Sequence, residues 1–357
     1  MGRRALILGG TGAIGRAAAD RLLRAGWSVE LTGRTPQRMP ADLAAAGARF
    51  VRADREDPAE LRAVVGAGAD LLVDNVCYTA AQARSLLPLA QDVGSVVMLS
   101  SKAVYVDASG NHTNSDVAPR FDGPVGEDQP TMAPVEGIDF NSREGYGANK
   151  VAAERVVLDS GLPVMVIRPS KVHGVGAERP REWVFVKRAL DRRPVVLLAH
   201  GGRGGDHPSA AANIAALIEV AAERPGARIL NCADPDQPTA AEIARIVAAR
   251  LGHDWAEVLL DESAPEGLGA TPWDLPHPIT LDMSAAHELG YRPAGDYATT
   301  LGPTIDWLVA AAHGRAGADR APAADDPFFA GYLDYAAEDA YLAEAPPAAG
   351  PQSATEA

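Results

Sequence analysis

Six short apolar runs, separated by segments of helical composition, constrain this chain more than any other feature. They are ALIL (5–8), SVELT (28–32), ARFV (48–51), DLLV (70–73), SVVMLS (95–100) and PVMVIR (163–168). Between them lie GRAAADRLLRAG, DPAELRAVVGAG, TAAQARSLLPLAQDVG and YGANKVAAERVVLDSG, each closed by a glycine, the residue that most readily takes the left-handed turn at a helix end. Strands alternating with helices predict βαβ units, and six of them predict an α/β, doubly wound (Rossmann-type) parallel sheet. One irregular stretch, residues 107–143, is crowded with Gly, Pro, Asn and Asp. Loops of that length are uncommon unless they serve as lids or binding surfaces.

After Arg168 the texture changes to RPREWVFVKRALDRR, a Gly-rich HGGRGGDHP and two helical segments, SAAANIAALIEVAAE and TAAEIARIVAARLG. The expected division is a sheet domain over residues 1–176, to which some later elements return, and a smaller C-terminal substrate-side region over 177–313. Residues 314–357 form an acidic, Ala/Pro-rich tail expected to be partly disordered, although its aromatic stretch DPFFAGYLDYAAEDAYL (326–342) is able to dock.

Bulk charge narrows the partners. A net charge of −14 disfavours nucleic acid, whose binders concentrate positive charge. The longest N-terminal apolar stretch is too short for a signal h-region, and none nears a membrane span. Cys77 and Cys232 are far apart and form no CxxC, so neither a disulfide framework nor a zinc ribbon is expected. A cytoplasmic protein with a small-molecule partner fits these features.

LILGGTGAIGRAAADRLL sets Gly9, Thr11, Gly12, Ala13, Ile14 and Gly15 between the first strand and its helix. Glycines there let the backbone turn tightly and approach a pyrophosphate, which the free N–H groups of the helix N-terminus receive. A dinucleotide is therefore expected on this turn. An NAD site usually ends the second strand with a carboxylate for the ribose hydroxyls; GWSVELTGRTPQR has Gly33 and Arg34 there, with Arg38 nearby. That exchange favours NADP, with NAD less favoured, because a guanidinium pairs a 2′-phosphate in bidentate fashion. Arg34 stacking on adenine or facing solvent stays open. Asp54, just past the third strand, is a candidate acceptor for the adenine amino group.

Tyr146 and Lys150 in GYGANK stand four residues apart, hence on one helix face with β-carbons about 5–6 Å apart. A free tyrosine titrates near pH 10, so as a proton carrier at neutral pH it needs a neighbouring positive charge. Taken alone, a YxxxK pair reads as an ordinary helix surface, since such a match occurs often by chance.

The order GGTGAIG, LSSKAVY, YGANK and RPSKVHG resembles the extended short-chain dehydrogenase/reductases, the NAD-dependent epimerase/dehydratase family, over roughly residues 4–176, and ILNCADPDQPTAAEIARIVAARLG (229–252) resembles that family's later strand and helix. The resemblance implies that Tyr146 is the general acid/base. It further implies that Lys150 holds the nicotinamide ribose and that Ser101, with Ser100 as fallback, bonds the reacting oxygen. It also implies a homodimer.

Two departures narrow the chemistry. Family dehydratases carry an Asp-Glu pair where this chain has Lys102 and Ala103, which disfavours sugar dehydration. Nucleotide-sugar enzymes carry an asparagine where this chain has Lys171. Lys102 and Lys171 therefore form either a basic patch for a carboxylate or phosphate or two solvated lysines, and His173 is a further candidate for substrate contact.

His173, His200 and His207 lack metal-ligand spacing, so no metal is expected. Trp183, Phe185, Trp273, Phe328, Phe329, Tyr332 and Tyr335 line an apolar pocket or form core and subunit contacts. Arg181, Arg188, Arg192 and Arg193 are expected on an exposed helix face.

The leading expectation is an NADP-dependent reductase or dehydrogenase of a carbonyl/hydroxyl compound. The alternatives are a cofactor-retaining epimerase and a non-catalytic NADP sensor or RNA-binding relative.

Overall fold

The computed structural model describes residues 2–314, 322 and 326–344. All six expected strands form: β1 (Arg4–Leu8), β2 (Ser28–Gly33), β3 (Arg49–Arg52), β4 (Ala69–Asp74), β5 (Val93–Leu99) and β6 (Val164–Pro169). Later strands are β7 (Lys171–His173), β8 (Val195–Leu198), β9 (Pro208–Ala210), β10 (Arg228–Cys232) and β11 (Ala256–Leu259). The main sheet has the order β3-β2-β1-β4-β5-β6-β10, and every neighbouring pair is parallel. A sheet buried on both faces needs continuous apolar runs rather than alternating ones, which is why ALIL and VMVI read as they do.

The helices are α1 (Ala13–Arg24), α2 (Ala41–Ala45), α3 (Pro58–Val65), α4 (Ala80–Ala90), α5 (Arg143–Leu158), α6 (Trp183–Leu190), α7 (Ala211–Glu223), α8 (Ala240–Leu251), α9 (Ser284–Glu288), α10 (Tyr297–Ala312), α11 (Pro327–Ala330) and α12 (Tyr335–Glu344). Ala18 and Leu22 of α1 and Ile214 and Leu217 of α7 cover one sheet face. Leu61 of α3, Leu86 of α4 and Val157 of α5 cover the other. Chain reversal between β1 and β4 leaves the crevice in which open α/β sheets bind ligands.

Gly26 and Gly161 stand at positive φ just past α1 and α5 as expected, and α3 stops at Gly66, two residues before the expected Gly68, both of them at positive φ. The fourth, Gly94, lies inside β5. A β-carbon there would stand 3.0 Å from the Asp70 carbonyl, so close strand approach selects this glycine rather than a helix cap.

In the second lobe, β8 and β11 pair in parallel against α6, α8 and α10. The tryptophans and phenylalanines weighed as pocket lining form its core: Trp183, Phe185, Trp273 and Phe329 are buried, and Phe185 stacks on Trp273 at 5.7 Å. The two lobes interleave, since α7 and β10 return to the main sheet.

The expected exposed arginine face fails for three of its members, the first being Arg181, which precedes α6 and is half-buried. Arg188 is 3% exposed and pairs with Glu338, and Arg193 pairs with Asp339. For these two the physical reason is that α12 lies over them and its carboxylates neutralise them. The disorder expected at the extremity of the tail concerns positions outside the described residues. Among the described residues no helix is long and apolar enough to cross a membrane.

Within residues 107–143 one carboxylate organises the turn. Asp107 accepts from the backbone N–H groups of Ser109, Asn111 and Arg120 at 2.9, 2.9 and 3.0 Å. Those bonds, the one from Arg120 first, hold its pKa down at about 2. A depressed carboxylate pKa contributes stability that is full above the unfolded value of 3.8 and is lost as pH falls toward about 2. Asp107→Asn is therefore expected to lower Tm at pH 7, and the gap from the parent protein is expected to shrink at pH 2.5. Thermal melts at the two pH values check this.

Candidate active site

The glycine turn forms as its spacing requires. Gly9 has φ +70°, outside the ordinary range of an L side chain, and a β-carbon on Gly15 would lie 2.6 Å from the Gly10 α-carbon. Gly12 is different. A β-carbon there would meet nothing nearer than the Gly9 carbonyl oxygen at 3.9 Å, so protein packing does not explain it. Gly12 caps α1 without a side-chain acceptor, and the first turn of the helix has no acidic residue. An uncapped, positively polarised helix N-terminus beside open space fits a pyrophosphate.

Two cavities meet at this turn. The larger, about 550 Å³, is lined by Gly9, Thr11, Gly12 and Arg38 and by Gly176, Ala177, Glu178 and Pro180. The smaller, about 320 Å³, is lined by Ile14, Asn75, Ser100, Ser101, Tyr146 and Lys150, with Lys171 and Arg181 across from them.

α5 begins at Ser142, whose hydroxyl accepts from the Gly145 N–H at 3.0 Å. One turn later Tyr146 stands half-buried at the smaller cavity, and a second turn brings Lys150, which is buried. The helix approaches the loop after β5 so closely that a β-carbon on Gly147 would lie 2.5 Å from the Ala103 carbonyl oxygen. Lys150 Nζ donates to the carbonyls of Cys77 at 2.8 Å and Leu99 at 2.9 Å. It also lies 4.4 Å from the centroid of the Tyr78 ring. An ammonium has three donors, so one N–H remains for a bound group. Tyr78 stacks on Phe140 at 5.0 Å and tilts against Tyr146 at 6.5 Å, which holds the phenol from the side.

Ser100 and Ser101 both border the smaller cavity. Ser101 Oγ accepts from the Ala103 N–H at 3.1 Å, which leaves its own O–H to donate. Ser100 Oγ and Asn75 Oδ1 are buried without a partner. Buried polar atoms are nearly always satisfied, so the two orphans at this cavity fit a bound polar molecule such as a nicotinamide ribose or a substrate oxygen.

Two other expected positions lie outside the linings of both cavities. Arg34 is exposed at the end of β2 and has no ion-pair partner among the described residues; Arg38 lines the groove instead. Asp54 lines neither cavity; its Oδ1 accepts from the Glu56 N–H at 3.0 Å.

Lys102 and Lys171 are neither solvated nor a bare basic patch. Both face Asp206: Lys102 is buried and ion-paired to it, and the half-buried Lys171 has its Nζ 3.4 Å from Oδ2 and 2.8 Å from the Pro272 carbonyl. Burial lowers the pKa of both lysines, that of Lys171 to about 8, and the two ammonium groups hold the Asp206 carboxyl below its ordinary value.

His173 lies away from the smaller cavity. Its Nε2 is 2.8 Å from Asp234 Oδ2, and the ring packs at 4.6 Å against Tyr297. It acts as a buried tie between β7 and the loop after β10.

Asn75 and Asp206 escaped the sequence reading, and Arg181, expected on an exposed helix face, lines the cavity instead. Asn75 was findable, since it follows β4 at the sheet reversal; the other two arrive from the second lobe. Among the described residues no group of three or more His, Cys, Asp or Glu side chains is placed to hold a metal.

The model of the NAD dependent epimerase/dehydratase family matches residues 5–207. No curated protein matches the chain in sequence. Solved structures share the fold at low identity. A putative epimerase from Burkholderia cenocepacia is 21% identical with a TM-score of 0.63, over 85% of this chain and 97% of that one. UDP-glucose-4-epimerase from Stenotrophomonas maltophila, with bound NAD and formylated UDP-arabinopyranose, is 18% identical with a TM-score of 0.66, over 87% and 99%. dTDP-glucose 4,6-dehydratase from Bacillus anthracis, in complex with NAD, is 15% identical with a TM-score of 0.64, over 89% and 100%. With the family model spanning more than half of the chain and the seven-stranded parallel sheet beneath it, the protein belongs to the NAD-dependent epimerase/dehydratase family.

Proposed function

We propose that this chain is an NADP-dependent oxidoreductase that interconverts the carbonyl and hydroxyl forms of a small molecule bearing an anionic group. One observation carries the reading. The phenol of Tyr146, the ammonium of Lys150 and the hydroxyls of Ser100 and Ser101 open on a single cavity beside the glycine turn. When bound, the dinucleotide supplies or accepts hydride at its nicotinamide C4.

The chain's own residues do the rest. Tyr146 Oη gives a proton to, or takes one from, the reacting oxygen, and the Ser101 O–H orients that oxygen. Lys150 Nζ, anchored by two carbonyls, stands one helical turn from the phenol. Gly33 in place of a carboxylate, with Arg34 unpaired and Arg38 on the groove wall, supports NADP over NAD.

Size and charge support the substrate class. About 320 Å³ is near the lower limit for small-molecule pockets, roughly 300–1,000 Å³. Across from Tyr146 stand Lys171 and Arg181, and Asp206, shared with Lys102, cannot cancel all of their charge. An excess of positive charge on a partly desolvated wall suits a carboxylate or phosphate.

The test is NADPH oxidation followed with a panel of keto acids, phosphorylated carbonyls and uncharged analogues. Preference for the anionic members supports the reading, and no oxidation with any member overturns it. Turnover of a nucleotide sugar without net absorbance change would instead assign the epimerase chemistry named for structural neighbours of this chain.

A pH effect follows from Lys171. Its charge is present below about pH 8 and lost above it, so KM for an anionic substrate is expected to rise several-fold between pH 7 and 9. In Lys171→Met that rise disappears; initial rates against substrate concentration at each pH check it.

A further inference from the structure

We propose that residues 326–344 form a strap that closes the outer side of the dinucleotide groove and slows cofactor release. The proposal rests on the assignment of the larger cavity to the dinucleotide. Pro322 and Asp326 stand on the wall of that cavity together with Gly9 and Gly12, so the C-terminal segment reaches the glycine turn although more than 300 residues separate them in the chain.

The segment is anchored by chemistry, not merely laid on the surface. Phe329 is 1% exposed and inserts into the core of the second lobe. The guanidinium of Arg188, itself buried, donates to the Tyr332 carbonyl at 2.8 Å and pairs with Glu338. Arg193 reaches Glu338 at 3.6 Å, pairs with Asp339, and lies 4.6 Å from the Tyr335 ring centroid. At the groove end, Asp326 Oδ1 accepts from the Phe328 N–H at 2.9 Å and starts α11, while Arg179 of the facing loop lies over the Phe328 ring at 5.6 Å. The strap thus joins α6 to the loop over the groove.

Two guanidiniums sharing one buried carboxylate make Glu338 the point at which the strap is released. Losing it leaves Arg188 buried without its counter-charge, a change that destabilises the docked state far more than it alters the solvated one. A bound dinucleotide would then leave through the opened side, and effects of this kind fall mainly on the dissociation rate.

The experiment uses the full chain, with Glu338→Gln/Asp339→Asn as a neutral pair and Glu338→Arg as a charge reversal. NADPH dissociation is read by stopped-flow displacement of its fluorescence, and circular dichroism reports the fold. The expected result is a rate at least about tenfold above the parent chain in the neutral pair, and faster still in the reversal. Should the reversal fail to fold, the neutral pair decides. Folded variants whose dissociation rate stays within twofold of the parent overturn the strap while leaving the groove assignment standing. A parent chain that binds neither NADPH nor NADH overturns both.

Discussion

Tyr146→Phe is expected to leave the fold and the dinucleotide affinity in place and to lower kcat by roughly 10²–10⁴-fold, the range for loss of a positioned general acid or base. The substitution removes a single oxygen. Its ring still meets Tyr78 at the same tilt, and α5 keeps its cap on Ser142. Equilibrium titration with NADPH and steady-state kinetics on the same preparation separate the two effects. A variant that keeps more than a tenth of the parent kcat would remove Tyr146 from the chemistry and leave the site as a binding pocket.

Lys150→Met is the second large effect, and it acts on stability and activity together. The methionine matches the stem of the lysine but leaves the buried carbonyls of Cys77 and Leu99 without a donor. Each unsatisfied group costs about 1–3 kcal/mol, so a loss of several kcal/mol is expected in denaturant unfolding. Those carbonyls belong to the loop after β4 and the end of β5, the two segments that carry Asn75 and Ser101. Turnover is expected to fall by at least about 10²-fold, because the ammonium beside the phenol is lost as well. An unchanged unfolding midpoint with full activity would contradict both roles.

How much of this was legible beforehand differs from residue to residue. The six strands were readable because a parallel sheet buried on both faces leaves uninterrupted apolar runs; Gly9 and Gly15 meet local backbone demands, whereas Gly12, which packing does not require, was readable only from its spacing between them. Tyr146 and Lys150 were readable because helical periodicity alone places them on one face. For Asp54 the sequence did not reveal that its Oδ1 closes a turn on the Glu56 N–H, which leaves Oδ2 as the remaining acceptor. His173 was misread because the partner that buries it, Asp234, comes 61 residues later.

The chain alone determined the fold class, the glycine turn and the Tyr146–Lys150 pair, since each depends on residues within one strand, one turn or one helix. Tertiary structure decided the charge on the far wall of the site and the place of the tail. Lys102 meets Asp206 across 104 residues, and Arg188 meets Glu338 across 150. A charge is solvated, paired or buried according to what the fold brings against it, and no local pattern carries that information.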